Sequence, residues 1–305
     1  MRAMIGPLDS LLAGRPLGGL LVNCHAHIHT NWGLPRDDAS PEAMLRTNDA
    51  TGTDVSCISS SHAIASDVPG GNDQVIDAVR RRPSRFVGAA AVNPNYPREI
   101  EAELARAFAE PGVGMVKLHP EWHAQAIDGP GFEPVWGVLA RRRIPALIHT
   151  WGEGRGLDHP LLVERVARRY PTVPLILAHA GGTPDGLRVS AEIARRAPNI
   201  FLDTGTSVSL RNGIEFLVEQ AGAERVLFGT DGAYLADPPQ VAKVAGARIS
   251  DGDKERIFGL NMKAILLGTG LPLPALEGRT SPPVPLSTDV ERGNVGDGCC
   301  WDDVP

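Results

Sequence analysis

Five side chains set the chemical question. In the stretch Asn23-Cys24-His25-Ala26-His27-Ile28-His29, two imidazoles stand two residues apart. Alternate residues of an extended segment face the same side, so His25 and His27 can present both rings to one ion. His149, His179 and Asp231 close three other apolar runs, Ile148-His149-Thr150, Leu177-Ala178-His179-Ala180-Gly181-Gly182 and Phe228-Gly229-Thr230-Asp231. Taken singly, each has an ordinary explanation: a histidine ending a buried strand is usually hydrogen-bonded structure, and Gly-Thr-Asp usually caps a helix. Taken together, four of the chain's nine histidines and one aspartate fall at the ends of such runs. Imidazole nitrogens and a carboxylate suit a divalent ion, zinc first, with iron, manganese or cobalt as substitutes.

Such a set works only if the backbone brings it to one place. Apolar, β-branched runs recur at 20–23, 54–59, 85–92, 114–118, 145–148, 173–178, 199–203 and 225–229. They start roughly 26 to 34 residues apart, enough for a strand, a loop and a crossover helix each. Their continuous rather than alternating apolarity predicts parallel strands buried on both faces. Between them, 98–110, 161–170, 185–196 and 211–220 place apolar residues at three- and four-residue steps, and 253–267 does so despite Gly259. Pro171, Pro198 and Gly222 punctuate three helix ends. Eight such units in about 250 residues predict an α/β fold of the (β/α)8 TIM-barrel type, whose strand carboxyl ends form one face on which side chains converge. The rival is an open doubly wound sheet, but no G-x-G-x-x-G turn follows the first strands. The barrel is assigned to residues 1–270. Residues 271–305 hold six prolines, six acidic residues and two arginines without period, and read as an irregular or disordered Pro-rich, acidic tail.

Composition excludes several other classes. Of the net charge of −6, the tail carries −4, so the barrel is nearly neutral. Nothing in it would neutralise a phosphate backbone, and Arg141-Arg142-Arg143 sits where a helix would end, so a nucleic-acid partner is not expected. No run of 18 apolar residues is present to span a membrane. Pro7, Asp9, Arg15 and Pro16 break any signal-peptide core. Cys24 and Cys57 lie in apolar segments, and the adjacent Cys299 and Cys300 have poor disulfide geometry, so a reducing, cytoplasmic setting is expected. The expected partner is a small-molecule or peptide-like substrate, with a homodimer the default assembly.

On His25, His27, His149, His179 and Asp231, and over residues from about 20 to 268, the chain resembles the amidohydrolase superfamily of metal-dependent barrel hydrolases. That family carries His-x-His on the first strand, His on the fifth and sixth, and Asp on the eighth. Val116-Lys117-Leu118-His119-Pro120, Ala178-His179-Ala180-Gly181-Gly182 and Leu260-Asn261-Met262 look like its amidohydrolase-related branch, which includes hydrolases and also decarboxylases of the aminocarboxymuconate-semialdehyde and resorcylate types. The resemblance implies metal ligation by the five residues, with His179 either completing the set or standing off to polarise a carbonyl or shuttle a proton. Lys117 ends the fourth strand, where binuclear members carry a carboxylated lysine bridging two ions. As a plain ammonium it would instead hold a substrate anion or pair with an acid. One ion is expected, two if Lys117 is carboxylated.

The leading expectation is a hydrolase of an amide, lactone or related carbonyl compound. A bound ion lowers the pKa of its water from about 15.7 towards about 7, and Asp231 serves as general base. The alternative is a metal-dependent nonoxidative decarboxylase of an aromatic or muconate-type acid. A non-catalytic binding barrel is disfavoured because all five key side chains are present. Trp32, Trp122, His123, Trp151, Arg155, His159, Arg211 and Tyr234 follow strand ends and mark the pocket mouth, and His119, Trp151 and Arg155 are the expected substrate contacts.

Overall fold

The computed structural model describes residues 10, 13, 17–29, 38–154 and 156–278. Eight parallel strands follow one another around a ring: β1 (Val22–Ile28), β2 (Val55–Ser60), β3 (Phe86–Ala91), β4 (Val113–Leu118), β5 (Ala146–His149), β6 (Leu175–Ala178), β7 (Ile200–Asp203) and β8 (Val226–Leu227). The ring closes because Cys24 N donates to the Phe228 carbonyl at 2.9 Å, Asp231 N to the His25 carbonyl at 2.9 Å, and Ala26 bridges Gly232. Sequential order with closure is the (β/α)8 barrel and excludes the doubly wound sheet, whose order reverses at a switch point.

The continuous apolarity of the strands now has its reason. On β6, Leu175 and Leu177 pack outward against the helices, while Ile176 and Ala178 join Val22, Val55, Met115, Leu147, Phe201 and Leu227 inside the barrel. Crossover helices follow β1 to β7 in turn: α1 (Pro41–Thr51), α2 (Val68–Arg81), α3 (Pro97–Phe108), α4 (Glu133–Arg142), α5 (Pro160–Arg169), α6 (Pro184–Arg196) and α7 (Gly213–Ala221). Four of these open on proline, which fits the first helical turn because its missing N–H would be unbonded there anyway. Ser40 and Thr183 cap α1 and α6 through the N–H groups of Ala43 and Gly186. After β8 come α8 (Asp237–Ala245) and α9 (Asn261–Leu267).

Two boundaries differ from the sequence reading. The first strand runs to Ile28, because its far half pairs with Ser59 and Ser60 on one side and with Gly232 on the other. His25 and His27 therefore lie inside β1 rather than beyond it. The helix expected over 253–267 is broken into Asp251–Glu255, a π turn Arg256–Leu260 and α9. Phe228 N takes the Ile257 carbonyl at 2.9 Å, and Gly259 backs onto the Leu20 carbonyl, where a Cβ would sit 2.2 Å away. From the expected tail, Leu273, Ala275 and Leu276 are buried against the barrel floor, and Gly112 N donates to the Pro272 carbonyl at 2.7 Å. Trp32, Arg155, Cys299 and Cys300 lie outside the described residues. Among the described residues, no helix is long and apolar enough to cross a membrane.

Candidate metal centre and pocket

The strand carboxyl ends bring the histidines together. His25 and His27 are buried, with their Nε2 atoms 3.1 Å apart and each 3.3 Å from Asp231 Oδ1. Their tautomers follow from what stands behind them. His25 Nδ1 lies 2.7 Å from Asp203 Oδ2, a carboxylate that can only accept, so the proton sits on Nδ1. His27 Nδ1 lies 3.1 Å from Ser59 Oγ, which also lies 3.5 Å from the Ala26 carbonyl, so that a proton on Nδ1 has an acceptor while the hydroxyl hydrogen turns to Ala26. Burial, reinforced at His25 by the Lys117 charge, pulls both rings below the usual imidazole range, so they are neutral. Two nitrogen lone pairs and a carboxylate oxygen thus face one another. Lys117 Nζ, 2.9 Å from His25 Nε2, supplies one donor. The other approaches are acceptor against acceptor, and that donor set fits a divalent cation.

Asp203, at the end of β7, is the buried hub behind this cluster. Besides His25 it accepts the N–H of His179 at 3.1 Å and of Gly205 at 2.8 Å. Gly229 makes room for it: a Cβ there would lie 1.9 Å from Asp203 Oδ1. His179 adopts φ 62° and Asp231 φ 54°, left-handed conformations that cost of order 1 kcal/mol or more in a non-glycine residue. His179 Nδ1 donates to the Gly205 carbonyl at 2.5 Å, which leaves Nε2 for the centre. One ligand atom each from His25, His179 and Asp231 lie within 4.8 Å of one another. Burial works to raise the Asp231 carboxyl and positive charge on the facing His25 and His27 rings to lower it, the balance lying below the usual carboxylate range. Burial lowers the Lys117 ammonium to about 8, against the opposing pull of Asp231 and Asp203.

The other wall is a series of parallel rings. His119 stacks on Trp122 (centroids 4.4 Å apart) and on His149 (3.9 Å), and His149 lies parallel to Trp151 at 6.3 Å. His119 Nδ1 accepts the Trp122 N–H at 3.4 Å. His149 Nδ1 is 3.1 Å from His179 Nε2, while its Nε2 turns outward, 3.6 Å from Asp158 Oδ2. Burial, with Glu121 adding to it, pushes Asp158 up to about 7. Lys117, Trp122, Trp151, Ser207 and Tyr234 help line a cavity of about 640 Å³ above the cluster.

Of the residues expected at the mouth, Trp122, Trp151 and Tyr234 line this cavity, as do His119 and Lys117. His123 instead donates to the Ile64 carbonyl at 2.9 Å, His159 caps α5, and Arg211 borders a separate surface groove. Sequence reasoning missed Asp203, Ser59 and Asp158. Asp203 could have been found, since it ends the seventh run as Asp231 follows the eighth. Asp158 sits within a loop and gave no signal.

A family profile described as Amidohydrolase matches residues 22–266. The chain belongs to the amidohydrolase family. Within it, the chain is 22% identical to a 2-amino-3-carboxymuconate-6-semialdehyde decarboxylase of Dictyostelium discoideum over 52% of its own length, and spans only about half, 54%, of that relative. It is 22% identical to a gamma-resorcylate decarboxylase of Rhodococcus jostii (strain RHA1), over 62% of this chain and 73% of the other. Among solved structures, the 5-carboxyvanillate decarboxylase of Novosphingobium aromaticivorans, complexed with manganese and 4-hydroxy-3-methoxy-5-nitrobenzoic acid, superposes with a TM-score of 0.66 at 17% identity. That match covers 82% of this chain and 96% of the other, and at such identity it shows the shared fold alone. These relatives correct the expected reaction. Both curated relatives are named for decarboxylation, so the leading expectation of a hydrolase of amides or lactones gives way to the lyase alternative, taken up below as a proposal.

Proposed function

We propose that this amidohydrolase-family protein is a metal-dependent nonoxidative decarboxylase of a flat, conjugated carboxylic acid. The observation that carries the reading is the agreement of the curated relatives on one reaction class, set over a chelating cluster able to serve it. The ring-walled cavity supports a planar substrate, because aromatic faces favour parallel or offset stacking.

His25, His27, His149 and Asp231 would hold the ion, with His179 beside them. Nitrogen and carboxylate donors accept manganese as well as zinc, so zinc is one choice among divalent ions. When bound, the ion supplies Lewis-acid polarisation of substrate oxygen. The carbon–carbon bond to the carboxylate breaks, carbon dioxide leaves, and the electron pair stays on the substrate carbon, which must gain one proton. His179 is oriented to deliver it: with Nδ1–H tied to the Gly205 carbonyl, Nε2 takes up a proton from solvent and the resulting imidazolium passes that proton to the carbon. Asp231, a carboxylate without a proton to give, orients rather than protonates in this scheme. Lys117, buried at the cavity floor, holds the substrate's negative charge.

The test is carbon dioxide release from gamma-resorcylate, 5-carboxyvanillate and related aromatic acids, using protein stripped of metal and then reloaded with Mn2+ or Zn2+. Release that depends on added metal supports the proposal. A metal-loaded, folded protein that releases no carbon dioxide from any acid, yet forms new carboxylate from carbonyl compounds, overturns it.

A further inference from the structure

His149 has two tautomers, and they have opposite consequences. With the proton on Nδ1, the ring donates to His179 Nε2 at 3.1 Å, and both nitrogens are consumed in one hydrogen bond. With the proton on Nε2, the Nδ1 lone pair is no longer spent on His179 and becomes available to a cation. His179 cannot resolve the choice, because its own proton is committed to the Gly205 carbonyl at 2.5 Å. The decision falls to whatever faces His149 Nε2, and that is Asp158.

Asp158 is 1% exposed, and its Oδ2 has no hydrogen-bond partner. That oxygen lies 3.6 Å from His149 Nε2, just outside hydrogen-bond range. The carboxyl is delivered by the β5–α5 loop, where its other oxygen would lie 3.1 Å from a Cβ at Gly156. A buried carboxylate oxygen without a donor is costly, and the nearest ring nitrogen can supply that donor. On the opposite side of the centre, His25 already shows the closed form of the arrangement, with Nδ1 given to Asp203 at 2.7 Å and Nε2 facing the centre.

We infer that Asp158 is a positioning residue for the metal site: by accepting the Nε2 proton of His149 it fixes the tautomer whose Nδ1 lone pair faces the centre. The inference rests on the divalent-metal reading above and adds to it a residue that touches neither ion nor substrate. A carboxylate behind a ligating imidazole holds the ring's orientation and raises its basicity, and losing one weakens metal affinity by about 10- to 100-fold.

The experiment titrates Mn2+ into metal-free wild type, Asp158→Leu and Asp158→Asn by calorimetry, and records long-range 1H–15N histidine spectra of the Zn2+-loaded proteins. Asp158→Leu should weaken Mn2+ binding by about 10- to 100-fold without lowering the melting temperature of the metal-free protein. Asp158→Asn, whose amide oxygen still accepts a hydrogen bond, should lose less. Zn2+-loaded wild type should show His149 protonated at Nε2, and Asp158→Leu should lose that signature. Binding by Asp158→Leu within about twofold of wild type, or a His149 Nδ1 proton in the Zn2+-loaded wild type, overturns the inference. If Asp158→Leu does not fold, the wild-type spectrum and Asp158→Asn decide. A wild type that binds neither metal overturns this inference together with the metal reading. Metal binding that depends on Asp158 without carbon dioxide release upholds it and removes only the decarboxylase reading.

Discussion

The two sides of the barrel mouth are built to different tolerances. On the β7–β8–β1 side, His25 and His27 are backed by Asp203 and Ser59 at 2.7 and 3.1 Å, and Asp203 has its lone pairs satisfied by backbone N–H groups. On the β4–β5 side ring faces supply most of the contact: His119 and His149 stack at 3.9 Å, Trp122 is 47% exposed, and Asp158 keeps an oxygen without a partner. The difference teaches a division of labour. Fixed tautomers and short hydrogen bonds suit chelation, which needs lone pairs held in place, while sliding ring faces suit a planar substrate that must enter and leave.

Mutations should separate the two sides. Asp231→Asn, on the tight side, removes the negative charge from the group that both β1 histidines face. Turnover should fall by about 10²- to 10³-fold or more, with metal content well below one ion per chain by atomic absorption and little change in circular dichroism. Full activity in that variant would break the assignment of chelation to this side. Asp203→Asn keeps the size but frees His25 to choose the wrong tautomer, so metal affinity should drop by about 10- to 100-fold in a Zn2+ competition assay.

The loose side should respond through pH and substrate affinity. Asp158 is a carboxyl raised from 3.8 to about 7, so the folded protein holds a proton that the unfolded chain has already released. Its contribution favours the metal-free fold below about pH 4 and is lost as the pH rises to about 7. Asp158→Asn should therefore stabilise metal-free protein at pH 8 by at most about 4 kcal/mol and leave it unchanged at pH 4, measured by urea denaturation at both values. The smallest effect is expected at Trp122→Ala, which removes one ring from the stack. KM should rise by about 2- to 10-fold and kcat should hardly move, whereas a kcat loss would place Trp122 in the reaction rather than in the wall.

Much of this was legible before the fold was known, for identifiable reasons. Runs buried on both faces showed the parallel barrel, and the polar residues that close such runs, His149, His179 and Asp231, could be placed at one mouth of it. The helix over 253–267 was misread because the π turn arises from contacts with Leu20 and Phe228, far off in sequence. Asp158 was invisible for the same reason: its meaning comes from His149, across a loop whose shape no local pattern specifies. The reaction was misjudged because the same ligands serve hydrolysis and decarboxylation, and only the relatives separate the two.

Isotope accounting tests the central claim most directly. Mn2+-loaded protein would be given an aromatic acid 13C-labelled in its carboxyl group, in D2O. The account predicts one 13CO2 per molecule of product, one deuterium on the carbon that lost the carboxyl group, and neither in Asp231→Asn. Retention of the 13C label in every acid offered to folded, metal-loaded enzyme would contradict it.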